Sequence, residues 1–293
     1  MGVKTRPTLH ELEAAEYLRL LPLLQSVGMN TLFARAVLVR DAPGRVLVDS
    51  VESPSVVYIQ HGYGMSLLLR TRECPRPNAD YLEKVLRLRR VAPEWLQVWP
   101  RAWASVLAAS EVCRARGSAE VELHTRVNFQ FFSQKYFASA ARRSISGCTV
   151  ARAERSAFSM AGTVVPRSFW SDADRFLDAG GGFAVLVDGR PAALAFSAFV
   201  TSSQLEIGVE TAEEHRGRGL ARLACAALID QCLAKGLDPV WACRLDNRAS
   251  HRLAEALGFV PIRHLPYFRL PPEAVGIRGA GHGANPWEEA SSP

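Results

Sequence analysis

The pattern of apolar and polar positions divides the chain into two series of short strands and helices. The second series begins near Gly147, and its best element is a helix over 217–235, with a wide apolar stripe and a stop at Gly236. Asp188-Gly189 predicts a tight hairpin. The predicted elements here are strands at 148–153, 183–187, 192–200, 205–210, 240–243 and 267–270, and helices at 168–177, 217–235 and 249–257.

The first half of the chain predicts a smaller unit of helices and strands. Three strand-like runs follow an initial helical pattern, with Gly62-Tyr63-Gly64 as the turn between the last two. No motif in this half indicates chemistry. The predicted elements are helices at 10–30, 80–89, 103–114 and 131–140, and strands at 46–49, 56–60, 66–70 and 120–127.

The two series predict two domains, and the length of 293 residues favours the same number. We expect an N-terminal α/β domain at 1–143 and a second domain at 144–271. We expect the segment 272–293 to be a disordered tail, because it is rich in Gly and Pro.

Composition excludes several classes of function. The net charge is +6, but the 35 basic residues are spread along the chain, which does not favour nucleic-acid binding. The six cysteines form no CxxC pair, so reduced thiols and a cytoplasmic location are expected. No apolar stretch approaches the roughly 20 residues that span a bilayer, so no membrane partner is expected. The histidines show no HxH or HExxH spacing, and no metal is predicted.

The most informative segment leads from a strand through Arg216-x-x-Gly219-x-Ala221 directly into the long helix. The first turn of a helix has backbone N–H groups without partners and the positive end of the helix dipole. Gly217 and Gly219 allow a ligand to approach the backbone, and arginines add positive charge. This pattern predicts an anion site that suits a pyrophosphate. It lacks the GK[ST] ending of a P-loop and the glycine spacing of a dinucleotide fingerprint.

A second motif follows one strand later, with Asn247-x-x-Ser250 at the start of a helix that ends in Leu257-Gly258-Phe259. With both motifs in this order, the chain from about Ser146 to Leu270 resembles the GNAT superfamily of acyl-CoA N-acyltransferases. The two-domain layout resembles a bacterial branch with an added N-terminal domain. The resemblance implies an α/β (α+β) fold with a mixed, mostly antiparallel sheet flanked by helices.

The resemblance also implies how acetyl-CoA is held. The Arg-x-x-Gly-x-Ala loop would bind the pyrophosphate, and the pantetheine arm would lie between the strands 205–210 and 240–243. The N–H of Val209 would stabilise the oxyanion, while its side chain is ordinary core. Asn247 would contact the cofactor, or serve only as a helix N-cap. The implied cofactor-binding residues are Val209, Glu210, Thr211, Arg216, Gly217, Arg218, Gly219, Leu220, Ala221, Arg222, Asn247 and Ser250.

The acceptor amine must be neutral to attack, and a free alkylamine has a pKa of about 10, so a general base is useful. The family often takes a Glu from the strand before the loop. Glu206 and Glu210 are the candidates, and a base in neither place is the third alternative. The family's position falls on Leu205, so Glu206 matches only if a bulge shifts the register.

The general acid of the family departs from its pattern here. Many members have a Tyr four residues after the serine, where this chain has Ala254. Tyr267 is the candidate substitute, or else an ordinary strand aromatic. Cys243 is a candidate nucleophile, with buried packing as the alternative.

The acceptor itself is a small-molecule amine or an amino group of a protein. We hypothesise that the N-terminal domain forms a wall of the acceptor cleft through Asn128 and Gln130, which lie in an aromatic-bearing run that otherwise serves only packing. The leading function is an N-acetyltransferase that works by direct attack. The alternatives are a non-catalytic acyl-CoA sensor and a tandem fold like the peptidoglycan aminoacyl-ligases, with a degenerate N-terminal copy.

Overall fold

The computed structural model describes residues 8–71, 79–110, 121–138 and 145–272, which form two compact units. Unit 1 contains the described residues up to Thr125, except 41–43, together with those from Leu265 onward. Unit 2 contains 41–43 and Arg126–His264. No helix in these ranges is long and apolar enough to cross a lipid bilayer. The predicted tail lies outside the described residues from 273 onward.

Unit 1 is a sheet with short helices, and its strands lie in the order β1-β2-β3-β4-β5-β12. A 3₁₀ helix at Ala14–Leu20 follows β1. The first part of β6 also belongs to this unit. The elements are β1 (His10–Glu11), α1 (Leu21–Leu24), α2 (Leu32–Leu38), β2 (Gly44–Val48), β3 (Val56–His61), β4 (Met65–Arg70), α3 (Ala79–Leu86), β5 (Glu94–Trp99), α4 (Trp103–Ala108) and β6 (Glu122–Phe131).

Unit 2 has strands in the order β6-β11-β10-β9-β8-β7. Two 3₁₀ helices, Pro166–Ser168 and Glu213–His215, interrupt its loops. The last strand, β12, begins in this unit and ends in unit 1. The elements are α5 (Ser133–Ala138), β7 (Cys148–Arg152), α6 (Arg155–Phe158), α7 (Ala173–Ala179), β8 (Gly182–Val187), β9 (Arg190–Val200), β10 (Gln204–Thr211), α8 (Leu220–Ala234), β11 (Asp238–Arg244), α9 (Arg248–Ala256) and β12 (Phe259–Leu270).

The two units have the same pattern of strand pairing, although the sixth strand follows the others along the chain in unit 1 (β12) and precedes them in unit 2 (β6). In unit 1, β1 to β4 pair in succession as antiparallel neighbours, β4 is parallel to β5, and β5 is antiparallel to β12. In unit 2, β7 to β10 form the antiparallel series, β10 is parallel to β11, and β11 is antiparallel to β6. One helix, α3 or α8, connects each parallel pair. The chain therefore contains two units that share one pattern of strand pairing.

The parallel pair differs between the two copies. In unit 1, β4 and β5 pair at five successive positions, from Met65↔Trp95 to Leu69↔Trp99. In unit 2, β10 and β11 pair at three positions only, and the last is Glu206↔Val240. Beyond this position, β10 continues with β9 and β11 continues with β6. The parallel pair is therefore closed in unit 1 and open at one end in unit 2.

The long helix α8 packs the core of unit 2. It begins after Gly219, which has φ of +79°, and Gly236 follows it with φ of +68°. Both values lie in the left-handed region that favours glycine. The residues of α8 that are buried in the core are Leu220, Ala224, Cys225, Ala226, Leu228, Ile229 and Cys232.

The domain boundary differs from the one predicted at 143/144. Residues 126–138 belong to unit 2, because β6 pairs with β11 from Trp241↔Phe129 to Arg244↔Arg126. Asn128 and Gln130 are therefore part of unit 2, and the hypothesis that they represent the N-terminal domain is corrected. A fragment that starts at residue 144 lacks a central strand of the sheet.

Several elements of the structure differ from the predicted ones, and the helices α2 and α6 were not predicted. Residues 10–30 are not one helix, because His10 and Glu11 pair with β2 and Pro22 lies at the start of α1. Strand β5 was missed, since Trp95 and Trp99 on its less buried face are themselves apolar, so no alternation is visible in the sequence. Strand β12 begins at Phe259, eight residues before the predicted position.

Candidate active site

The loop before α8 has the conformation of an anion site. Gly217 and Gly219 have φ of +75° and +79°, and no side chain caps the helix at Gly219. A Cβ atom on Gly217 would have no neighbour within 4 Å, and one on Gly219 would meet only Ile145, at 3.6 Å. The loop is exposed. A ligand can therefore approach the backbone of Gly217 and Gly219, directly before Leu220 and Ala221, without meeting a bulky side chain.

The three predicted arginines differ in their surroundings. Nε of Arg216 donates to the carbonyl of Thr211 at 3.4 Å, and Nη1 of Arg218 donates to Nδ1 of His215 at 2.7 Å. Both arginines are exposed. Arg222 is half-buried, and its Nη2 lies 3.4 Å from the carbonyl of Ala256 in α9. Arg216 and Arg218 therefore offer charge at the loop, while Arg222 also braces α8 against α9.

The open end of the parallel pair lies between Ile207–Thr211 of β10 and Trp241–Arg244 of β11. Val209 is in the middle of this stretch of β10, and its side chain packs against the core of unit 2. Leu205 and Ile207 share that face. Glu206, Gly208 and Glu210 alternate onto the opposite face of the strand.

Glu206 is the last residue of β10 that pairs with β11. It is 5% exposed, and its Oε1 lies 3.6 Å from Nη2 of Arg126, whose side chain is also buried. The register with β9 shifts between Glu206 and Ile207, from Phe199 to Ser197. A bulge therefore lies here, but the extra residue is Ala198 in β9. The alternation along β10 is unchanged, and Glu206 stays on the same face as Glu210.

Glu210 is held by backbone amides of a neighbouring loop. Its Oε2 accepts hydrogen bonds from the N–H groups of Thr163 and Val164, at 2.9 and 2.8 Å. Its Oε1 accepts from the N–H of Thr211 at 3.2 Å. The two predicted carboxylates therefore have different environments: Glu206 faces a buried cation, and Glu210 faces a loop.

Strand β6 adds polar side chains to the face of Glu206. Asn128 is buried and lies opposite Ala242 of β11, two residues from Arg126 and on the same face. Gln130 is exposed. The structure thus groups Glu206, Arg126 and Asn128 on one face. Arg126 was not predicted as a site residue, because no local pattern indicates that β6 joins this sheet. Its spacing of two residues from Asn128, which places both side chains on one face of a strand, was the available signal.

The residues of α9 have structural partners. Oδ1 of Asn247 accepts from the N–H of Ser250 at 3.0 Å, which is the geometry of an N-cap. Oγ of Ser250 accepts from Nε1 of Trp241 at 3.1 Å. Ala254 is fully buried. Tyr267 belongs to unit 1, where it is buried and stacks on Trp95 with 4.9 Å between ring centroids.

Cys243 is a buried residue of the core of unit 2. Burial raises the pKa of its thiol, although a hydrogen bond with Ser250 and the charge of Arg126 act in the opposite direction. A thiol with a raised pKa is a weak nucleophile at neutral pH, because the thiolate is the reactive form. This environment favours packing over covalent chemistry for Cys243.

A protein-family model for GNAT acetyltransferases matches residues 22–268. The chain belongs to the GNAT acetyltransferase family. The match covers both units, so the N-terminal unit is part of the family architecture rather than an unrelated addition. N-acetylation with acetyl-CoA is the general reaction of GNAT enzymes.

One similar protein is named as an N-acetyltransferase. The chain is 35% identical to the uncharacterized N-acetyltransferase YdfB of Bacillus subtilis (strain 168) over 91 residues, which are 31% of this chain and 35% of that protein. The match therefore spans about a third of the relative's length.

Two solved GNAT structures show the same fold over nearly their whole length. A GCN5-related N-acetyltransferase-like protein from Streptococcus suis 89/1591 is 22% identical with a TM-score of 0.64, covering 88% of this chain and 99% of that chain. A tandem GNAT protein from the clavulanic acid biosynthesis pathway is 14% identical with a TM-score of 0.61, covering 91% and 99%. At these identities the likeness concerns the fold alone.

Proposed function

We propose that this protein transfers an acetyl group from acetyl-CoA to the nitrogen of an amine, and that unit 2 carries the reaction. The observation that carries the proposal is the combination, within one unit, of an open parallel strand pair and an exposed helix N-terminus directly after it. The first feature accommodates an extended amide-bearing arm, and the second accommodates a pyrophosphate. Thr211, whose carbonyl accepts from Arg216, connects the two.

The residues of the loop fit acetyl-CoA. The N–H groups of Gly219, Leu220 and Ala221 and the side chains of Arg216 and Arg218 would hold the pyrophosphate. The free backbone edges of β10 and β11 would pair with the amides of the pantetheine arm. Acetyl-CoA supplies the activated acyl group, and the N–H of Val209 would stabilise negative charge on the thioester oxygen during attack.

Glu206 is the residue that we propose as the general base. This residue lies on the face opposite α8, at the last position where β10 pairs with β11, and its Oε1 is 3.6 Å from Nη2 of the buried Arg126. The carboxylate takes the proton of the attacking nitrogen, the new C–N bond forms, and the C–S bond breaks. The thiolate departs without a tyrosine at position 254, since a thiol has a pKa of only about 8.5.

A non-catalytic acyl-CoA sensor is the second candidate. Ala254 favours it, because this buried position has no group that can protonate the departing thiolate. The repeated topology supports a third candidate, a tandem aminoacyl-transferase-like enzyme. Its closed β4–β5 pair makes unit 1 the degenerate copy.

An amine panel with acetyl-CoA tests the proposal. Small primary amines, free amino acids and peptides with a free N-terminus are each mixed with the protein, and release of free coenzyme A thiol is followed over time. We expect at least one class to raise thiol release well above the rate without acceptor, with an N-acetylated product visible by mass spectrometry. Binding of acetyl-CoA without amine-dependent release would contradict the enzyme and support the sensor.

A further inference from the structure

A loop of unit 2, residues 159–164, is tied to the end of β10. Its contact residue is Glu210, which directly follows Val209. Oε2 of Glu210 accepts from two successive N–H groups of the loop, those of Thr163 and Val164. Gly162 has φ of +140°, and a Cβ atom there would lie 2.8 Å from Cγ of Glu210. The loop therefore approaches this side chain so closely that only glycine fits.

The 159–164 loop is also anchored at its ends. Val165 and Pro166, which follow it, are buried. Nη1 of Arg167 donates to the carbonyl of Met160 at 2.5 Å. Ser159, Ala161 and Gly162 are nevertheless exposed. The loop thus has a fixed backbone with an exposed rim, and Glu210 is the side chain that joins this rim to β10.

The contact between Glu210 and the 159–164 loop lies beside the place where the proposed reaction occurs. The loop lies within hydrogen-bond distance of the residue next to Val209, whose N–H marks the place of the thioester in the proposed function. A nitrogen that attacks the acyl carbon from the face of Glu206 must approach beside this loop, because Glu206 and Glu210 share that face. Three backbone amides donate hydrogen bonds to the Glu210 carboxylate and fix its position between β10 and the loop.

We propose that Glu210 is a positioning residue that fixes the 159–164 loop as part of the acceptor site, rather than the general base. This inference rests on the proposed function. It predicts that a Glu→Gln substitution has opposite consequences at the two carboxylates of β10, Glu206 and Glu210. A glutamine at position 210 keeps an oxygen that accepts both loop N–H groups, whereas a glutamine at position 206 has no carboxylate to take a proton.

The test compares Glu210→Ala, Glu210→Gln and, as a control, Asp178→Ala, which removes an exposed carboxylate of α7. We expect Glu210→Ala to raise the KM for the amine by roughly tenfold or more, since a loop held by charge-assisted hydrogen bonds is released. The KM for acetyl-CoA should change much less. Glu210→Gln should restore most of the loss at neutral pH. Hydrogen exchange should show faster exchange at Thr163 and Val164 in Glu210→Ala only.

Three results would overturn the inference. Equal losses in Glu210→Gln and Glu210→Ala that both recover at high pH would make Glu210 the base. Faster loop exchange with an unchanged KM for the amine would place the loop outside the acceptor site. Unchanged exchange in Glu210→Ala would show that the carboxylate does not hold the loop. A wild-type protein that acetylates no amine would instead refute the proposed function itself, and the inference with it.

Discussion

Reversal of the charge at Arg218 is the sharpest test of where acetyl-CoA binds. Arg218 is exposed at the loop before α8, and its side chain contacts His215 at the surface. Arg218→Glu therefore removes no core packing. If the pyrophosphate binds at the first turn of α8, the variant replaces an attraction with a repulsion. The folded protein without ligand should be affected little.

The size of the effect follows from Coulomb's law. Two unit charges about 4 Å apart in a water-like medium interact by about 1 kcal/mol, so reversal of one charge costs about 2 kcal/mol of binding. This corresponds to a roughly 30-fold higher Kd. At about 100 times the wild-type Kd, acetyl-CoA stabilises the wild type by about 2.7 kcal/mol, and the variant by about 0.9 kcal/mol.

Thermal unfolding with and without acetyl-CoA measures this difference. For a protein of this size class, the ligand should raise the Tm of the wild type by roughly 5–10 °C and that of Arg218→Glu by roughly 2–3 °C. Lys235→Glu is the matched control, because it changes the net charge equally at the exposed far end of the same helix, roughly 25 Å away and beyond the Debye length.

Two results would refute the reasoning. A full ligand-induced shift in Arg218→Glu would mean that the pyrophosphate does not bind at this loop. Equal losses in Arg218→Glu and Lys235→Glu would mean that the overall charge of the protein, and not the loop, controls affinity.

Further predictions concern the base, the stoichiometry, the acceptor face and a backbone contact. Glu206→Gln should lower kcat by about 10²–10⁴-fold at pH 7 and recover at pH 9.5, where more amine is neutral; equal losses at both pH values would contradict a base. Titration calorimetry should give a stoichiometry of one acetyl-CoA per chain, because the parallel pair β4–β5 of unit 1 has no open end. A stoichiometry of two would contradict this. Asn128→Ala should raise the KM for the amine and leave that for acetyl-CoA unchanged; an unaltered KM would remove Asn128 from the acceptor face. Gly258→Ala should lower the free energy of unfolding, measured in urea, by roughly 2–5 kcal/mol, because its Cβ would lie 2.6 Å from the backbone nitrogen of Tyr136 at φ of +89°. The control Gly147→Ala has φ of +76° and no neighbour near its Cβ, so it bears the backbone strain alone. Equal losses of stability in the two variants would contradict the clash.

The local elements of unit 2 were predictable from the sequence because their signals are local. The apolar stripe of α8 and the stop at Gly236 predicted the helix, and Asp188-Gly189 predicted the β8–β9 hairpin. The glycines of the loop before α8 predicted a backbone that a ligand can approach, and a Cβ atom on Gly217 would have no neighbour within 4 Å. Each of these signals depends on residues within a few positions of one another.

The pairing of distant segments was decided by the tertiary structure alone. Strand β6 carries Arg126 and Asn128, and it contributes them to unit 2 only because it pairs with β11, more than a hundred residues later. Likewise, Glu206 and Glu210 share a face of one strand, and only the burial of Arg126 and the approach of the 159–164 loop distinguish them. The sequence by itself determined the long helix α8, the β8–β9 hairpin and the glycine-rich loop before α8. The three-dimensional fold decided which strands meet and which groups surround Glu206 and Glu210, because both depend on contacts that local residue patterns do not specify.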